Sequence, residues 1–300
     1  MNTKNLLTRA GAGIIYIVVL LAGILGGKYS FLIVFGTILG FGLYEFYKAM
    51  EKNTSHVISK TFNIASGIII FLSAYLYLEN INAYLFPATS LTYLLALTAS
   101  AVLINRDDIF HAIIYSVFGQ IYITLPLSLL MLLSYQYNIW AKEYHYLLVL
   151  AIFVLIWIND TAAYFIGSLI GKHKLIERIS PKKSVEGFIS GIIFTLLGSL
   201  IFAHSYPQYP LKFWLGFALV ISLFGTVGDL FESLIKRTCG IKDAGNLIPG
   251  HGGILDRIDS LLIAIPAAYL YLMIFAQLID GIHPRNYNFN SSSTHILYLY

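Results

Sequence analysis

The sequence predicts an all-α, polytopic integral membrane protein with about nine transmembrane helices. Three observations carry that reading. Apolar residues make up 58% of the chain and charged residues only 11%, far from the balance of a soluble domain. Apolar runs long enough to cross a bilayer, about 20 residues each, recur from end to end. The runs are continuous, whereas a membrane β-barrel alternates apolar and polar positions.

The spans fall at about 11–27, 30–47, 61–78, 88–105, 110–134, 145–170, 187–205, 211–235 and 259–280. Lys4 and Arg9 precede the first, as in a signal peptide. No small-x-small cleavage site stands near Gly26-Gly27, so a retained first span is expected. Pro87 and several Ser and Thr residues dilute the fourth span. The sixth, about 39 Å long, exceeds a hydrocarbon core of about 30 Å and must tilt, kink or project into water. No internal repeat of the transporter kind is evident. The expected organisation is a block of N-terminal spans over 1–140, a site-bearing membrane domain over 141–281, and a polar tail over 282–300.

Orientation follows from Lys and Arg. With the N-terminus in the cytoplasm and nine spans alternating, fifteen of the 19 Lys and Arg residues fall inside. Only Lys28, Lys142, Lys212 and Arg285 fall outside. Spans seven and eight, joined by the uncharged YPQYP turn at 206–210, return the chain to the same face. The charged loops 171–186 and 236–258 are therefore both expected in the cytoplasm, in a bacterial-type inner membrane. A single cysteine, Cys239, excludes an internal disulfide framework and reads as a small space-filling residue.

Chemistry concentrates in Asp229 to Asp259, DLFESLIKRTCGIKDAGNLIPGHGGILDRID. The segment holds Asp229, Glu232, Asp243, Asp256 and Asp259, with Lys236, Arg237, Lys242 and Arg257, and a turn Pro249-Gly250-His251-Gly252-Gly253. Carboxylates hold hard divalent ions, Lys and Arg neutralise phosphate oxygens, and glycine lets backbone N–H groups come close. Asp229 and Glu232 share a helical face at i, i+3, and Asp256 and Asp259 repeat that spacing at the entry to span nine. Two helix ends thus present two acidic pairs at similar depth. Glu232 and Lys236, at i+4, are expected to pair. Asp229 and Asp256 either pair with nearby Lys236, Arg237 and Arg257 or, the favoured reading, serve as metal ligands, because a bound cation offsets the cost of a carboxylate in a span. Asp259 serves either the same site or the N-cap of span nine. His251 reads equally as a phosphate hydrogen-bond donor and as a general base.

Upstream, Asn159-Asp160 ends an apolar run, and Asp160 reads as a buried, isolated carboxylate and hence a site candidate. Gly171 to Gly187, GKHKLIERISPKKSVEG, carries Lys172, Lys174, Arg178, Lys182 and Lys183. Such a loop can bind anionic lipid headgroups. Ser180-Pro181-Lys182-Lys183-Ser184 reads as a compact turn, with Ser184 capping span seven, and Lys and Ser beside a helix N-terminus make a phosphate cradle. No Walker P-loop spacing and no zinc-ligand spacing is present.

At these residues the sequence resembles the phosphatidate cytidylyltransferases, also called CDP-diacylglycerol synthases. The signature reads Ser233-Leu234-Ile235-Lys236-Arg237, Lys242-Asp243, Pro249 to Gly253, then Asp256-Arg257-Ile258-Asp259. Asn159 to Tyr164, Gly167, Gly171-Lys172, Ser180 to Ser184 and Glu186-Gly187 also look like the family's. The motif resemblance covers about 157–260, while the N-terminal half matches only as a run of spans.

The resemblance implies an all-helical homodimer in the bilayer that joins CTP to phosphatidic acid, yielding CDP-diacylglycerol and pyrophosphate. It implies magnesium at Asp229 and Asp256, and allows a monovalent cation such as potassium beside it. Lys236 and Arg237 are expected in the catalytic set with Asp160. Lys172, Ser180, Lys182, Lys183, Ser184, Ser233, Lys242, Asp243, His251, Gly252, Gly253, Arg257 and Asp259 are expected to bind substrate. Nothing implies nucleic acid as a partner. The rival readings are a CTP-dependent polyprenol kinase, which would transfer the γ-phosphate, and an ion-coupled transporter using Asp160 and Asp229.

Overall fold

A computed structural model of the chain describes residues 3–51, 59–104, 108–135, 143–245, 247 and 252–282. The helices are α1 (Thr3–Leu25), α2 (Lys28–Met50), α3 (Lys60–Leu78), α4 (Leu85–Leu103), α5 (Ile109–Gly119), α6 (Leu125–Leu133), α7 (Leu147–Ile170), α8 (Val185–Ser205), α9 (Leu211–Thr238) and α10 (Leu255–Ile282). A π-helical turn, Gln120–Thr124, joins α5 to α6, so that Ile109–Leu133 is one continuous apolar helix. Among the described residues eight helices are long and apolar enough to cross a membrane, and α1 adds a shorter apolar stretch, Gly11–Leu25. The protein is an all-α polytopic membrane protein, and each of the nine expected spans has its helix.

The chain forms two compact units. One comprises Met1–Leu150 with Gly228–Ile263, the other Ala151–Val227 with Ala264–Tyr300. The acidic segment therefore packs with the N-terminal helices, a division that differs from the expected boundary near residue 140.

In the first unit, Phe31, Phe35, Leu39, Leu43 and Phe46 fill one face of α2 and are fully or almost fully buried. Several polar groups inside this unit bond to one another, as burial away from water favours, although the Tyr122 and Ser128 hydroxyls have no hydrogen-bond partner among the described residues. Tyr47 Oη donates to the Ser116 carbonyl at 2.8 Å, Tyr93 Oη to Asn63 Oδ1 at 2.8 Å, and Gln120 Nε2 to the Asn63 carbonyl at 2.8 Å. The π-turn lies just before Pro126, which has no N–H to continue the α-helical ladder. It carries Tyr122 against Phe231 of α9, ring centroids 5.5 Å apart.

In the second unit, α7 and α8 approach through glycine. A Cβ on Gly187 would stand 2.7 Å from the Ala163 carbonyl oxygen and 3.2 Å from Gly167 Cα, and one on Gly191 2.7 Å from Asn159 Oδ1. Small residues at this spacing let two backbones come close, the usual means of helix association in lipid. Phe213, Trp214 and Phe217 are fully buried, and Tyr271 Oη donates to the Phe213 carbonyl at 3.0 Å.

The segment after α7 corrects one expectation. Ser180 to Ser184 is not a compact turn but a strand, β2 (Ser180–Ser184), paired antiparallel with β1 (Lys174–Ile176). The turn falls at 177–179 instead.

Candidate active site

The acidic helix ends lie in the first unit. α9 supplies Asp229, Glu232, Ser233, Lys236 and Arg237, and α10 supplies Asp256, Arg257 and Asp259. The helices cross at Gly228, where a Cβ would stand 2.6 Å from the Asp259 carbonyl oxygen and 3.0 Å from Ser260 Cα. Only glycine permits that approach, and it sets Asp229 beside Asp259 in level. α10 begins at Leu255, four residues before Asp259. Asp259 is thus inside the helix rather than at its N-cap.

Lys236 ties the crossing together. Its Nζ donates to Asp256 Oδ1 at 2.8 Å and pairs with Glu232 one turn back, the i, i+4 pair expected from the sequence. Glu232 is fully buried, so the ammonium neutralises a carboxylate that water does not reach. Asp256 also accepts from two backbone N–H groups, Gly253 at 2.8 Å and Ala244 at 3.1 Å. One carboxylate thereby joins the end of α9, the chain at 244 and the turn that enters α10.

Around this knot the charges divide by depth. Asp229, Ser233, Asp256 and Asp259 are half-buried, while Arg237, Lys242, Asp243 and Arg257 are exposed. Tyr16 Oη of α1 donates to the Arg257 carbonyl at 3.2 Å. Gly252 has a φ of +81°, a left-handed conformation that favours glycine. His251 lies outside the described residues, as do Pro249 and Gly250. Cys239 is buried, in keeping with the small space-filling role expected of it.

Glu45 of α2 was not among the expected site residues. It is buried, and its Oε2 accepts from the Leu255 N–H at 2.9 Å, at the first residue of α10. A Cβ on either Gly245 or Gly253 would overlap its carboxylate. A signal was available, since Glu45 is the lone carboxylate within an apolar span.

The second unit holds the other expected residues. Asp160 is exposed, not buried; its neighbour Asn159 is the buried residue. Asn159 Oδ1 accepts from Ser222 Oγ at 2.5 Å, and its Nδ2 donates to Asp160 Oδ1 at 3.2 Å. Successive helical residues point about 100° apart, so one faces the packed helices and the other turns away. On the hairpin, Ser184 caps α8 as expected, accepting from the Gly187 N–H at 3.1 Å. Glu186 accepts from the backbone N–H groups of Lys172 at 3.1 Å and His173 at 3.2 Å, and meets His173 Nδ1 at 2.6 Å. These bonds clamp the hairpin base to the start of α8. Lys172 and Lys182 are exposed, and Ser180 and Lys183 are half-buried.

The sequence model of the cytidylyltransferase family matches residues 7–275, nine-tenths of the chain. The chain belongs to the cytidylyltransferase family. Among curated relatives, a phosphatidate cytidylyltransferase of Staphylococcus aureus (strain COL) is 42% identical over 139 residues, 46% of this chain and 52% of that protein. One from Bacillus subtilis (strain 168) is 47% identical over 125 residues, 41% of this chain and 46% of its own length. The chain spans about half the length of the curated relatives it matches.

Proposed function

We propose that the chain is a phosphatidate cytidylyltransferase, converting CTP and phosphatidic acid into CDP-diacylglycerol and pyrophosphate. The observation that carries this reading is the crossing of α9 and α10, where one lysine is held between Glu232 and Asp256 and the arginines lie open beside it. The names of the relatives support the same substrates.

A lipid phosphate oxygen attacks the α-phosphorus of CTP in line. A P–O bond forms there as the bond to the β-phosphate oxygen breaks, and pyrophosphate leaves with the electron pair. The nucleophile is already an anion, so positioning and charge neutralisation carry the catalysis. Arg237, Lys242 and Arg257 contact phosphates from the exposed side. Lys236 is held within reach by its two carboxylates. Lys172, Lys182 and Lys183, with Ser180, form a second basic surface for a triphosphate or a lipid headgroup, beside the α8 N-terminus that buried Ser184 caps.

The donor set at the crossing suits magnesium. Among the described residues no three ligating side chains come together, but magnesium typically takes only one or two carboxylates, with substrate phosphates and water completing its shell, and half-buried Asp229 and Asp256 offer hard oxygens. Asp229 and Asp256 would hold it, and it would supply charge neutralisation between the two phosphates. The potassium expectation concerns the same carboxylates. We place the site at the cytoplasmic face of a bacterial inner membrane, on the Lys and Arg asymmetry, and the enzyme as a homodimer.

Purified protein in detergent, given CTP, phosphatidic acid and magnesium, tests the reading. Release of pyrophosphate with formation of CDP-diacylglycerol supports it. With a polyprenol supplied in place of phosphatidic acid, release of CDP with formation of polyprenyl phosphate would transfer support to the polyprenol kinase.

A further inference from the structure

Glu45 lies outside every motif that points to the reaction, yet its carboxylate reaches into the turn that carries Asp256. It sits on α2, whose other residues carry no acidic group. Its Oε2 accepts from the Leu255 N–H at 2.9 Å across 210 positions of sequence. The Leu255 N–H begins α10, where the helix has orphan donors and a partial positive charge. Gly245 and Gly253 lie so close to the carboxylate that a Cβ on either would overlap it. Gly42, one turn before Glu45, packs within reach of Ile258 of α10, 3.7 Å from a Cβ to Ile258 Cδ1. The carboxylate thus meets the chain on both sides of the 246–252 stretch and caps the helix bearing Asp256 and Arg257.

The geometry points to Glu45 as a positioning residue that fixes the tip of α10, and through it Asp256 and Arg257, in register with the end of α9. Its side chain touches no reacting atom in this assignment. It accounts for two glycines: Gly245 and Gly253 are small because Glu45 occupies the space their side chains would need. The consequence for turnover rests on the cytidylyltransferase reading, whereas the anchoring itself does not.

The test combines amide hydrogen exchange with kinetics on the full-length protein in detergent. In Glu45→Ala, exchange at Leu255 should rise at least about tenfold, and kcat/KM for CTP should fall by about 10- to 100-fold, the range for residues that orient a site's ligands. Glu45→Gln, which keeps an oxygen acceptor, should restore most of both. Gly245→Ala should lower kcat/KM in the native background and have no further effect in the Glu45→Ala background, because the collision partner is gone. Unchanged exchange at Leu255 in Glu45→Ala would overturn the proposal, as would additive losses in the double variant. Should Glu45→Ala fail to fold, Glu45→Gln and Gly245→Ala carry the test alone: Gly245→Ala with native exchange and native kcat/KM overturns it. If the unaltered protein forms no CDP-diacylglycerol, the functional reading fails while the exchange result still decides the anchor.

Discussion

Lys236 Nζ lies 2.8 Å from Asp256 Oδ1 while the same ammonium pairs with Glu232, one turn earlier on its own helix. The last turn of α9 and the first of α10 are therefore joined by one cation between two acids. Removing either partner of a buried pair leaves an uncompensated charge, which costs about 3–5 kcal/mol. Lys236→Ala should accordingly lower the unfolding temperature in detergent sharply. A Lys236→Met, Glu232→Leu double variant should regain much of that stability and none of the activity. Equal melting of Lys236→Ala and native protein would contradict the pairing.

Asp256 is asked to do more than pair with lysine. Asp256→Asn keeps an oxygen acceptor for the Gly253 and Ala244 N–H groups but loses the negative charge. Turnover should drop on the order of 10²-fold, the scale for removing one electrostatic contact to a transition state. The loss should persist across a magnesium titration. Near-native turnover at any magnesium concentration would remove Asp256 from the metal-binding role.

The opposite end of the first unit carries a separate pH sensitivity. Glu79 accepts from Lys28 Nζ at 2.6 Å and from Tyr135 Oη at 2.6 Å. Burial disfavours its charged form, but the Lys28 ammonium and the Tyr135 hydroxyl outweigh it and hold the carboxyl below the usual range. A depressed folded value means the stabilisation is full above the unfolded value, about 4.3, and is lost as pH falls through the folded one. The pair is partly exposed to solvent, which screens it and keeps its contribution small. Glu79→Gln should slightly flatten the acid limb of the stability–pH curve. An acid limb identical in the variant would contradict the assignment.

Helix packing in the second unit makes a sharper steric demand. Gly187→Ala must push α8 away from the Ala163 carbonyl oxygen, which a Cβ would approach to 2.7 Å. Overpacking of this kind costs about 1–3 kcal/mol. The unfolding temperature should fall correspondingly, while Gly11→Ala, where nothing lies within 4 Å, should leave it unchanged.

The spans were legible because length and continuous apolar character are local properties of sequence. The Glu232–Lys236 pair and the Ser184 cap were legible for the same reason, being set by offsets of four and three residues. Glu45 was marked only as a lone carboxylate in its span; what it binds was not legible, because its partners lie about 200 positions away and only packing brings α2 to α10. Asp160 was misread because the sequence shows that Asn159 and Asp160 are adjacent without showing which faces the neighbouring helices. The hairpin was hidden by composition: Ser180, Pro181 and Ser184 are turn-forming residues, and Pro181 sits in a two-stranded sheet where both strands are edges. The grouping of 228–263 with the N-terminal helices is likewise a tertiary fact.

The most direct measurement follows the label of CTP carrying ³²P at the α-phosphorus, incubated with the purified protein, phosphatidic acid and magnesium. The expected result is radioactivity in the lipid fraction as CDP-diacylglycerol, with unlabelled pyrophosphate released and the transfer largely lost in Asp256→Asn. Label confined to water-soluble CDP, or lipid labelling that survives Asp256→Asn unchanged, would contradict a cytidylyl transfer organised by the crossing of α9 and α10.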